Sequence, residues 1–204
     1  MYSLDNYKKA WGNQPEETYQ FSALEIYKLA HSKSSSIVKW IFIIGILEFV
    51  VLNSLSFFID TETSYDVYKE MGLEKTILYS TIVAYGVLFY FLVLFYLNYK
   101  RISTTDSSRQ LMKKIIKTRK TVRNYVLFNF SYMAFVIVLV TAAYLKTHFN
   151  DLEAKQIVLI LLLIFVLTLI ILGVLWLFYQ LLYGILLRKL NYNYKALAKL
   201  EKES

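Results

Sequence analysis

The chain has 204 residues, 57% of them hydrophobic and 17% aromatic, with a formal net charge of +8 and no cysteine. An apolar share above the roughly 45–50% of soluble domains points to an integral membrane protein, where excess positive charge marks the loops on one face; no nucleic-acid partner is expected. Without cysteine, disulfides, thiol nucleophiles and thiolate-held metals are excluded.

Residues 1–36 form a polar segment with two helical pieces. Leu4, Tyr7 and Trp11 share one face of the first, which stops at Gly12 and Pro15. That aromatic face suits a lipid interface or a protein partner, or packing against the chain's own bundle. The second piece opens on a capping box, Ser22-Ala23-Leu24-Glu25, flanked by Phe21 and Ile26 as a hydrophobic staple, and runs directly into the first apolar stretch. No cleavable signal is expected, because that stretch begins only at Ile37 and exceeds a signal's apolar core of about 7–15 residues.

Residues 37–59 make the first expected span, with Lys39 and Trp40 at its edge, and residues 77–99 return after an acidic loop over 60–76. Residues 100–123 form a connector with nine Lys or Arg and one acid. Within it Ser107-x-x-Gln110 is a second capping box, and Leu111, Ile115, Thr118 and Val122 line one stripe of a helix. Residues 125–145 make the third span and residues 146–156 a polar turn. The last apolar run, 157–187, would be about 46 Å of helix against about 30 Å of hydrocarbon, so part of it must leave the bilayer. Leu181, Leu182, Ile185 and Leu186 are then expected to pack on the cytosolic helices that lead into the first and third spans. Residues 188–204 continue as a charged helix.

Nineteen Lys and Arg fall in the two ends and the connector, against four in the other two loops. That bias sets both termini and the connector on the cytoplasmic side. The expected architecture is all-α: four spans in two hairpins (37–99 and 124–187) with helices extending into the cytosol. A shift of 85 residues lays Ser22-x-x-Glu25 on Ser107-x-x-Gln110 and Trp40 on Tyr125, the pattern of an internal duplication.

Few residues carry chemistry. Glu48 lies at the centre of the first span, where a lone carboxylate is costly and a functional role is the first hypothesis. No Lys or Arg lies deep enough to pair with it, so a hydrogen bond from another helix is expected, with Tyr85, Tyr132 and Thr168 as candidates. A structural bond is favoured over a proton or cation relay, which would need ionisable company. His31 and His148 fall on opposite sides, and no catalytic constellation, metal site or cofactor site is visible. Lys113, Lys114, Lys117, Arg119, Lys120 and Arg123 surround the connector stripe; they attract anionic lipid or simply set topology on an extended third helix.

Three phrases, EIYKLAHSKSSSIVKWIFIIGILEF, NYKRISTTDSSRQLMKKIIKTRKTVRNY and YGILLRKLNYNYKALAKLE, resemble a family of small four-span bacterial membrane proteins often labelled beta-carotene monooxygenase. The resemblance implies a bacterial inner-membrane location, and its label implies oxidation of an isoprenoid. No catalytic residue comes with it: carotenoid-cleaving oxygenases hold iron on four histidines, and this chain has 2. Three functions follow as expectations: first a non-enzymatic docking or regulatory module meeting a protein partner or a second copy through its cytosolic helices, next a small transporter or channel using Glu48, and last an isoprenoid oxidoreductase.

Overall fold

The computed structural model describes residues 23–55, 61–103 and 107–203. Leu4, Tyr7, Trp11 and Ser22, the first capping residue, lie outside the described residues. Every described element is helical: α1 (Ala23–Leu55), α2 (Thr61–Glu70), α3 (Glu74–Ser103), α4 (Ser108–Thr147), α5 (Ala154–Tyr179), a π-helical turn (Gln180–Gly184) and α6 (Ile185–Glu203). Four stretches, Leu24–Val51, Glu74–Ser103, Ser108–Thr147 and Ala154–Lys199, are long and apolar enough to cross a membrane.

From Ser108 onward the connector and the third span are one helix, while residues 100–103 belong to the end of α3. Ser107 starts α4 as its spacing predicts, its Oγ accepting the Gln110 amide at 3.3 Å, and the helix then continues to Thr147 without a break. The acidic loop is more ordered than its charge pattern suggests. It contains α2, closed by Gly72 at φ +67°, with Gly72 N–H bonded to Lys69 O at 3.0 Å and Leu73 N–H to Tyr68 O at 2.8 Å. Those two bonds are a Schellman motif, and only glycine takes that left-handed position without strain. Tyr65 of α2 donates to Glu74 at the start of α3, which holds its phenol pKa above the ordinary value.

The core follows a heptad spacing. Its buried residues recur at alternating steps of four and three: Ala30, Ser34, Ile37 and Ile41 on α1; Phe91, Phe95, Asn98 and Ile102 on α3; Leu111, Ile115, Thr118, Val122 and Tyr125 on α4; Leu190, Asn193 and Leu197 on α6. That repeat keeps each seam facing its neighbours along a left-handed bundle. α1 packs on α3 and α6, and α4 packs on the same two, so these helices form a square at the end of the molecule that carries most of the basic residues. Each side of the square has a polar bond. His31 Nε2 meets Ile102 O at 2.8 Å, Asn98 Nδ2 donates to Thr121 Oγ1 at 3.1 Å, Arg119 Nη1 donates to Asn191 Oδ1 at 2.8 Å, and Asn193 Nδ2 donates to Ser34 Oγ at 3.1 Å. Polar pairs at seam positions fix register, because a slipped helix leaves them buried and unmet.

At the other end the spans separate. α5 packs chiefly on α4, through one half-buried stripe that includes Ile157, Ile160, Ile164 and Thr168, while Leu159 and Leu162 remain 67% and 60% exposed. In a bilayer such faces meet lipid, which is as apolar as leucine. The long last run is therefore not one uniform helix: the π turn divides a thinly packed α5 from a well-packed α6. Leu182 and Leu186 pack against the core as expected. Leu181 and Ile185 do not; both are exposed, and Tyr179 and Tyr183 take the inward positions.

Candidate functional site

Glu48 is 5% exposed and lies where the square of helices gives way to the separated spans. Tyr179 OH donates to its Oε1 at 2.6 Å and Tyr183 OH to its Oε2 at 2.9 Å. Both phenols reach the same carboxyl because they are four residues apart on one helix face, and their rings stack at 6.0 Å. Tyr125 meets both rings edge-on at 6.2 and 6.0 Å. Phe95 packs behind Tyr125 at 5.3 Å. Gly45, one turn from Glu48, lets Phe95 approach α1: a Cβ there would stand 3.1 Å from the Phe95 ring.

None of the three expected partners holds Glu48. Tyr85 donates to Asn53 Oδ1 at 2.6 Å, Thr168 bonds back to Ile164 O at 2.7 Å, and Tyr132 stacks on Phe128 at 6.1 Å. Those candidates assumed a carboxyl at mid-span. Its actual neighbours Tyr125 and Tyr183 are two and five residues from Arg123 and Arg188, roughly 3 and 8 Å along the helix axis. Glu48 therefore sits toward the basic end. The missed signal was Tyr179-x-x-x-Tyr183, two phenols on one face of an otherwise apolar run.

A cavity of about 250 Å³ lies beside this cluster between α1, α3 and α4, and its lining includes Gly45, Asn53, Thr81, Tyr85, Tyr125, Asn129 and Tyr132. Its amides are occupied: Asn53 Nδ2 donates to Phe49 O at 2.7 Å and Asn129 Nδ2 to Tyr125 O at 2.9 Å. Tyr125 belongs to the cavity wall and to the aromatic cluster around Glu48 alike.

The basic residues of the connector divide. Lys114 Nζ donates to Arg101 O at 3.0 Å. Arg119, Lys120 and Arg123 line a groove between α4 and the segment from Trp176 to Asn191, where Arg188 joins them; Lys113 and Lys117 are not part of it. Arg188 and Asn191 were not foreseen, since they lie in the tail, far from the connector in sequence. The histidines stay apart, His148 Nδ1 lying 3.1 Å from Tyr144 O in its own helix end. Among the described residues no three His, Asp or Glu side chains gather to hold a metal, so they do not fit an iron site.

Together these features define a multi-pass, all-helical membrane protein whose packed core lies at one end of its spans. A family model described as Domain of unknown function (DUF8845) matches residues 24–202, and the chain belongs to that family. No curated protein and no solved structure matches it.

Proposed function

We propose that the chain is a non-enzymatic protein of the bacterial inner membrane, with both termini cytoplasmic, acting as a docking or regulatory module through its helical bundle. The observation that carries this reading is where the packing lies. The fully buried side chains Ile102, Leu111, Ile115, Leu190 and Leu197 belong to the polar, basic ends of the helices, whereas the most apolar windows of the third and fourth spans have no buried residue. A chain needing only an anchor has no use for four ordered extensions with polar bonds fixing their register. The bundle presents exposed Lys113, Lys117, Lys189 and Lys195, a surface that complements an acidic protein face. The Lys and Arg bias supports the orientation.

Photo-crosslinking residues placed in cells at 113 and 117, and for comparison at 79 and 159, test the reading. Discrete protein adducts from 113 and 117 and none from 79 and 159 are expected. Adducts from 159 alone would move the interaction surface into the membrane and overturn it.

The cavity beside Glu48 favours a second reading, a small transporter. Its walls mix Asn53, Thr81, Tyr85 and Asn129 with apolar groups at one face of the Glu48 cluster. Under that reading Glu48→Gln assembles normally and abolishes proton-coupled flux in vesicles; under the docking reading the same protein keeps its crosslinks. No observation favours the isoprenoid oxidoreductase.

A further inference from the structure

We infer that the groove between α4 and the π turn with α6 is a seat for one anionic phospholipid, its phosphate held by the basic end and its acyl chains along the apolar end. The groove encloses about 790 Å³, ample for a headgroup and the first part of two chains. Its polarity runs one way. Arg119, Lys120, Arg123 and Arg188 line the end nearest the bundle, while Phe130 and Trp176 line the end reaching along the spans. Phe130 lies seven residues beyond Arg123, about 10 Å of helix, so the apolar end is at acyl-chain depth when the arginines are at phosphate depth. Among the described residues no Asp or Glu lines the groove.

The charge arrangement selects the occupant. An acidic peptide would leave the Phe130 and Trp176 end unfilled, and a free phosphate would use only the basic end, whereas a phospholipid matches both. Arg119 is already positioned by its bond to Asn191 at 2.8 Å, so part of the headgroup site is preorganised. The π turn contributes as well. Gly184 has no side chain, and a Cβ there would lie 2.9 Å from the Gln180 amide, so the turn leaves room for Gln180 in the groove wall. Single π turns of this kind often mark functional sites. This inference needs no protein partner and stands apart from the docking reading.

The test uses the full chain in a neutral detergent, with native mass spectrometry after exposure to equal amounts of phosphatidylglycerol and phosphatidylcholine. One retained phosphatidylglycerol is expected, favoured about tenfold over phosphatidylcholine and not displaced by glycerol phosphate. Arg123→Gln with Arg188→Gln should erase that preference; Arg123→Lys with Arg188→Lys, which keeps both charges, should retain most of it and report on folding. Lys113→Gln with Lys117→Gln removes equal charge outside the groove and should leave the phosphatidylglycerol preference as it is in the parent protein. Equal loss in that control would mean a diffuse basic field, and displacement by glycerol phosphate would mean a soluble phosphate ligand; either overturns the inference. Failure here leaves the crosslinks from 113 and 117 untouched.

Discussion

The two halves of α4 make opposite use of apolar residues. Over residues 111–125 the apolar positions are few and, apart from the exposed Ile116, buried against α3 and α6. Over residues 127–147 they are abundant, and Leu127, Phe135 and Val138 are exposed. The less hydrophobic half is the better packed. In water a helix buries only the stripe that a neighbour covers, so pattern decides; in lipid there is no such penalty, and composition alone keeps the helix in place. The same contrast separates α6 from α5, with the π turn between them.

Truncation in the two regions should break or sharpen this contrast most strongly. Phe95→Ala, at a fully buried position, should cost about 3–5 kcal/mol in a reversible denaturation assay in detergent. Leu162→Ala, at a 60% exposed one, should change stability by less than about 0.5 kcal/mol. Equal losses would mean that another helix or another copy covers α5.

The boundary between the halves comes next. Glu48→Leu leaves the Tyr179 and Tyr183 phenols without their acceptor, at about 1–3 kcal/mol for each orphaned group, while Glu48→Gln keeps an acceptor and should lose less. Thermal unfolding of both variants measures the difference, and a Glu48→Leu protein as stable as the parent would remove Glu48 from the framework. A smaller effect is expected at Gly45→Ala, where the new methyl would stand 3.1 Å from the Phe95 ring; a loss of about 1–3 kcal/mol is the usual cost of overpacking. A neutral result in the same assay would show that Phe95 can give way.

Much of the framework was legible in the sequence because it rests on periodicity and charge. The stripe Leu111, Ile115, Thr118 and Val122 was readable since its helix is otherwise polar, and every one of its members is buried. The cap at Ser107 was readable for a similar reason. The seam of α1 was not: from Ile37 onward its flanking positions are apolar too, so composition hides which face turns inward. The partners of Glu48 were missed for a geometric reason. Depth counted along one span does not show that the helices converge near Arg123 and Arg188, and that convergence selects Tyr179 and Tyr183. α2 was missed because ten mostly polar residues give little hydrophobic signal; its Gly72 stop was the available clue.

The central claim is that the basic ends form a fixed four-helix square within one chain. It is tested most directly by a Ser34→Cys, Asn193→Cys protein, in a background with no native cysteine, oxidised in membranes and run on a non-reducing gel. Because Ser34 and Asn193 are in direct hydrogen-bond contact across α1 and α6, rapid formation of a cross-linked monomer is predicted, with none from Ser34→Cys paired with Val174→Cys. Cross-linked dimers without cross-linked monomer would place that contact between copies and contradict the account.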